Sequence, residues 1–302
     1  MINFENVSKF ILSDVSFSIP KGEVVGLIGA TGSGKTTLVK LASGILEPER
    51  GRVSVLGADP VKNKGRYSSR LGVYLTGVPV LSEYDSALSG IGILGKMYNI
   101  PDAEFQKRYD ELSTLFGFKN FEGERLKDLS VGQRKRIELS ATFILGPEML
   151  LLDEPEIGLD EEAKQTLEEV IKDRASKGMT VLVTSHDLPS ISHLSTRIMM
   201  LSEGKLIFYG SEAVLRHKFL PVNQMTLKYE GAIPMVDDLP LLKYSVDSGK
   251  AGGTFYCEYD ERYVSASEVL AVIMQHSKVT DIKIKKPDLE QVILGKNRDK
   301  EL

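Results

Sequence analysis

At 302 residues, 42% hydrophobic and 26% charged, the chain has the length and composition of a globular protein with one large domain and room for a small one. A net charge of −4 argues against a general nucleic-acid binder, which would carry a basic face. No apolar run approaches the roughly 20 residues that span a bilayer, and the first residues lack the basic-then-apolar order of a signal peptide, so any role at a membrane is expected to go through a partner.

Residues 14–19 alternate polar and apolar side chains and stop at Pro20-Lys21-Gly22, which predicts a half-buried strand and a turn. Residues 23–28 run almost wholly apolar, as a strand buried on both faces does, and 149–152 and 180–184 repeat that character. A helix is expected over 35–43. The segment 77–146 reads as mostly helical and irregular, inserted between core strands. Helices follow at 134–145 and 161–175, the second with Ala163, Leu167, Val170 and Ile171 on one face. After Arg197 comes a hairpin, 198–201 and 205–209, around Glu203-Gly204.

The stretch 231–253 is rich in glycine and holds two prolines; it either divides the C-terminal part or forms a long loop within it. Around it a strand at 254–259, a helix at 268–275, a strand at 281–285 and a last helix from Pro287 are expected, with a further strand at 225–229. Ser265 and Glu268 can form a capping box for the first of these helices, and Pro287 suits the first position of the second. Cys257, the single cysteine, lies in an alternating strand and reads as a small core residue; without a disulfide partner in the chain it suits a reducing compartment. Alternating buried strands and helices imply a largely parallel α/β sheet, followed by a small α+β unit.

Gly29-Ala30-Thr31-Gly32-Ser33-Gly34-Lys35-Thr36 fits the phosphate-loop pattern between a strand and a helix. Gly29, Gly32 and Gly34 let backbone N–H groups converge on phosphate oxygens, with Thr31, Ser33 and Thr37 in the same turn and first helical residues. Lys35 supplies a point charge for the β- and γ-phosphates, and the Thr36 hydroxyl is placed to ligate Mg²⁺. Residues 149–152 end in Asp153 and Glu154. Neighbours on a strand point opposite ways, so the two acids need different roles: Asp153 to hold Mg²⁺ through water, Glu154 to orient or deprotonate the attacking water. In Leu129-Ser130-Val131-Gly132-Gln133, Ser130 and Gln133 form a capping box, while Gly132 leaves N–H groups open to an anion.

The order of phosphate loop, Leu-Ser-Val-Gly-Gln, Leu-Leu-Leu-Asp-Glu-Pro, Gly158-Leu159-Asp160 and Thr184-Ser185-His186-Asp187 resembles the ATPase subunits of ATP-binding cassette (ABC) transporters over roughly residues 1–215. Val131 stands where the family usually has Gly. The resemblance implies an α/β P-loop NTPase cassette: a mixed, largely parallel core sheet, an antiparallel β subdomain and a helical subdomain at about 77–146. A C-terminal α+β accessory domain would occupy 216–302. It implies ATP and Mg²⁺ as ligands, ATP hydrolysis, and two cassettes that dimerise head to tail around two ATPs. Ser130, Gly132 and Gln133 of one subunit would then meet the γ-phosphate held by the other. Asp160, with Gly158 and Leu159, would communicate across the interface, and His186 would contact the γ-phosphate and help position the water. His193, His217 and His276 read as surface or packing residues. Phe10 is the candidate to stack on adenine, the alternative being a core residue.

The family's Gln after the strand at 71–75 is missing: Thr76 or Gly77 holds its place. The end of the chain is similar to cassette ATPases that serve bacterial exporters with separately encoded permeases. That implies a transmembrane permease as partner, no nucleic acid, and a cytoplasmic location, peripheral on the inner face of the cell membrane. The permease would dock near 84–98, whose Leu88, Ile91, Ile93, Leu94 and Met97 equally fit a helix core. Rival readings are a soluble cassette acting on ribosomes or DNA, a non-hydrolysing regulatory binder, and a small-molecule kinase.

Overall fold

Period-two alternation builds the first layer. β1 (Ile2–Lys9), β2 (Leu12–Ile19) and β4 (Arg50–Val55) form an antiparallel sheet in the order β2-β1-β4. Phe4 lies opposite Phe17 on one side and Val53 on the other, with the two rings stacked at 4.6 Å. The computed structural model describes residues 1–285 apart from 64, 66–67, 220–221, 233–235, 237–238 and 250–251.

The apolar runs form a second sheet in the order β5-β6-β7-β3-β8-β9. β5 (Leu71–Leu75), β6 (Met149–Asp153), β7 (Thr180–Ser185), β3 (Val24–Ile28) and β8 (Arg197–Ser202) are parallel, and β9 (Lys205–Gly210) closes antiparallel through the Glu203-Gly204 turn. Every residue of β3, β6 and β7 is buried, which is why these strands show no alternation. α1 (Lys35–Ala42) buries Leu38, Val39, Leu41 and Ala42 in a core shared with residues of both sheets. Gly26 has no room for a side chain: a Cβ there would collide with Ile191 of α6 (Leu188–Leu194). Ile28 pairs with Ser185 and Asp153 with Thr184, so the C-terminal ends of β3, β6 and β7 stand side by side.

Between β5 and β6 lie α2 (Ala87–Met97), α3 (Asp102–Leu115) and α4 (Val131–Phe143). Tyr109, Phe116, Phe118 and Phe143 are buried in aromatic contacts of about 6 Å between α3, α4 and the residues that follow α3. Of the apolar residues expected on α2, Ile91 is core, whereas Leu88, Ile93 and Met97 face solvent. α5 (Glu161–Ser176) buries the four residues read as its apolar face.

The chain divides into two compact units, Met1–Gly210 and Ser211–Leu302. The boundary read from sequence, residue 215, falls inside α7 (Glu212–Phe219) of the second unit. That unit is an antiparallel sheet, β11-β12-β10-β13, of β10 (Val222–Gly231), β11 (Leu241–Ser248), β12 (Gly252–Asp260) and β13 (Ser277–Lys285). α8 (Ala266–Met274) packs Val269 and Ile273 into one core with Met225, Leu227, Phe255, Cys257 and Tyr259. The stretch expected as a divide or loop therefore contains a strand, β11. The helix expected from Pro287 lies outside the described residues.

Candidate active site

The phosphate loop runs from the end of β3 into α1. Gly32 and Gly34 take φ of 82° and 109°, conformations that L side chains rarely adopt, and a Cβ on Gly34 would strike Leu12. Gly34 caps α1 with no side-chain acceptor, so the first N–H groups of the helix stay open to an anion. Lys35 is buried, and its ammonium donates to the carbonyls of Gly29 at 2.8 Å and Ala30 at 3.4 Å. The Ser33 hydroxyl is buried without a hydrogen-bond partner, which suits a further acceptor entering the loop. Thr31 and Thr36 are exposed and Thr37 is half-buried.

Two acids end β6. Thr36 donates its hydroxyl to Asp153 Oδ2 at 2.8 Å, and Thr184 of β7 donates to Asp153 Oδ1 at 2.8 Å. Glu154 is not the next residue of the strand, as the alternation argument assumed; it turns into the left-handed region with φ 47°. A non-glycine residue held there costs roughly 1–3 kcal/mol, and such strain gathers at functional sites. That turn, not strand alternation, separates the two carboxylates. Glu154 Oε1 lies 3.5 Å from Lys35 Nζ, and its Oε2 lies 3.4 Å from His186 Nδ1, just past the end of β7.

Ser130 and Gln133 form the expected capping box on α4. Among the described residues, none of the hydrogen bonds or ion pairs joins Ser130, Gly132 or Gln133 to the phosphate loop of the same chain. The turn instead neighbours the 157–160 loop: a Cβ on Gly132 would stand 3.5 Å from the Gly158 carbonyl. Lys135, buried on α4, donates to the Ile157 carbonyl, and Arg136 holds both oxygens of Asp160 at 2.7 Å. Burial pushes the Lys135 ammonium below its ordinary pKa. Asp160 also caps α5 by accepting from the Ala163 N–H, and that bond with the Arg136 pairing lowers its pKa. Lys135 and Arg136 were not singled out in the sequence, because their partners lie 22 and 24 residues away.

Phe10 sits at φ 52° in the β1–β2 turn, 70% exposed, so it is not a core residue. Ile11 and Leu12 beside it pack over Gly34, which puts that turn next to the phosphate loop. At the position of the missing Gln, the Thr76 hydroxyl is engaged by the Asp153 carbonyl at 2.5 Å, and Gly77 is left-handed at φ 77°.

A glycine-rich loop opening a helix, with a lysine, two acids and a histidine at adjacent parallel strand ends, defines a nucleoside-triphosphate-hydrolysing cassette. The profile of the ABC transporter family matches residues 12–156. The ABC transporter ATP-binding protein NatA of Bacillus subtilis is 31% identical over 210 residues, 69% of this chain and 85% of that protein. The linearmycin resistance ATP-binding protein LnrL of the same organism is 25% identical over 315 aligned positions, covering 98% of this chain and 97% of that one. A solved ATP-binding subunit of an ABC transporter superposes with a TM-score of 0.68 and 26% identity over 72% of this chain and 92% of its own. The chain belongs to the ABC transporter family, as an ATP-binding subunit that hydrolyses ATP.

Proposed function

We propose that this subunit powers export through a separate membrane permease, working at the inner face of the membrane as a head-to-tail pair of cassettes. Export is supported by the match along nearly the whole chain to a resistance ATP-binding protein, which includes the C-terminal unit. The observation that carries the hydrolytic part is Glu154, held between Lys35 and His186 beside the Thr36–Asp153 pair.

Thr36 and Asp153 present hard oxygen donors, and among the described residues no cluster of three or more His, Cys, Asp or Glu could hold a metal alone. That donor set fits Mg²⁺ carried largely by phosphate oxygens and water. When bound, Mg²⁺ would neutralise charge developing on the β- and γ-phosphates. Lys35 and the open N–H groups of α1 bind and orient the triphosphate. Phe10 offers its exposed ring to the adenine. Glu154 accepts a proton from the attacking water as its oxygen bonds to the γ-phosphorus and the bond to the β-phosphate oxygen breaks, giving ADP and phosphate. His186 holds the γ-phosphate and the water in line. Ser130, Gly132 and Gln133 of the second cassette close over that phosphate, and Asp160 sits at the same interface. The C-terminal unit is a regulatory or partner-binding accessory.

The permease docks on the apolar side chains Tyr84, Leu88, Ile93 and Met97, all exposed on or beside α2. The test is capture from detergent-solubilised membranes, with the chain as bait, followed by ATPase assay of the reconstituted pair. A multi-span protein encoded next to this chain should co-purify and stimulate hydrolysis, and Leu88→Asp with Met97→Asp should abolish both. Capture unaffected by that double change would place the docking face elsewhere.

A further inference from the structure

β6 lies between β5 and β7, and each neighbour sends one threonine hydroxyl onto its end. From β7, the fully buried Thr184 donates to Asp153 Oδ1 and accepts the Glu154 N–H at 3.0 Å. From the β5 side, Thr76 donates to the Asp153 carbonyl at 2.5 Å, with the Glu154 carbonyl 3.3 Å away. The three main-chain polar groups around the left-handed Glu154 are thus gripped from both sides. A conformation this rare in a non-glycine residue persists only when its surroundings over-determine it.

The two grips differ in what lies behind them. Thr184 sits within a fully buried strand. Thr76 is the first residue past β5, exposed, and is followed by left-handed Gly77 and the segment that leads into α2 with its solvent-facing apolar residues. We propose that Thr76 is a positioning residue for hydrolysis: its hydroxyl fixes the Asp153–Glu154 backbone and so aims the Glu154 carboxylate at the water. This rests on the hydrolytic role of Glu154. Its bonds are to the Asp153 and Glu154 carbonyls, so it acts through Glu154.

The test compares Thr76→Val, which keeps the shape and loses the hydroxyl, with Thr76→Ser, which keeps the hydroxyl, in the full chain. Misplacing a catalytic group by a fraction of an ångström should lower kcat by about tenfold in Thr76→Val, with KM for Mg-ATP held within about twofold, and Thr76→Ser should restore kcat to within about twofold of the parent. Amide exchange over 149–156, which needs no turnover, should quicken in Thr76→Val and return to parent rates in Thr76→Ser, while 181–183 stays protected. If Thr76→Val does not fold, Thr76→Ala takes its place. A hydroxyl-free variant with parent kcat and parent exchange would overturn the proposal. So would equal losses in both variants, or a rise in KM at constant kcat, since each would mark a structural or binding role. A parent chain that binds ATP and releases no phosphate would contradict the role of Glu154 instead, and the exchange comparison would still decide whether Thr76 holds that backbone.

Discussion

Lys35 Nζ stands 3.5 Å from Glu154 Oε1, joining the residue proposed to bind phosphate to the residue proposed to activate water. Both side chains are largely shielded from solvent, so their attraction is screened less than that of a surface pair. A γ-phosphate reaching Lys35 would compete with Glu154 for the ammonium. His186 Nδ1 lies 3.4 Å from the other Glu154 oxygen.

Lys35→Ala should weaken nucleotide binding itself. The change removes the ammonium and leaves the Gly29 and Ala30 carbonyls without their donor. Hydrogen bonds to charged groups contribute about 1.5–3 kcal/mol, so ATP affinity measured by calorimetry should fall by about 10- to 100-fold. Equal affinity with and without Lys35 would rule out the phosphate-loop site.

Glu156→Gln should stabilise the fold at neutral pH. Burial raises the Glu156 carboxyl pKa, with nearby Glu168 and Asp187 adding to the rise. A carboxyl raised in the folded state carries a penalty above its folded pKa that disappears as pH falls through that value toward the unfolded one. The gain in Tm for the Gln variant should therefore be largest at pH 7–8 and shrink toward about pH 4.5, near the unfolded value. A gain independent of pH would show that charge is not its cause.

A chain ending at Gly210 should bind Mg-ATP as the full chain does. Every phosphate-contacting candidate lies in Met1–Gly210, and a cut at 215 would instead divide α7, whose Leu215 is fully buried. Calorimetry on the folded truncation checks this; loss of binding would assign the C-terminal unit a part in the nucleotide site.

The phosphate loop, the acid pair and both capping boxes were legible because their signals are local. Each sits within a few residues, and Ser130–Gln133 and Ser265–Glu268 close as read. β11 was not legible: among the described residues it pairs with β12 alone at the sheet edge, none of its side chains is fully buried, and it lies in a stretch whose glycines and prolines signal a loop. The grips of Thr76 and Thr184 on the acids span 77 and 31 residues, and nothing local marks either hydroxyl. The separation of Asp153 from Glu154 was read from the wrong cause, since a left-handed residue rather than strand pleat turns the second acid.

Glu154→Gln tests the account most directly, because it keeps the shape of the side chain and removes its basicity. ATP binding by calorimetry should be retained, phosphate release should fall roughly 10²–10⁴-fold, and the protein should accumulate as an ATP-bound dimer on size-exclusion chromatography. Phosphate release near the parent rate in a folded Glu154→Gln protein would contradict the assignment of Glu154 as the residue that activates water.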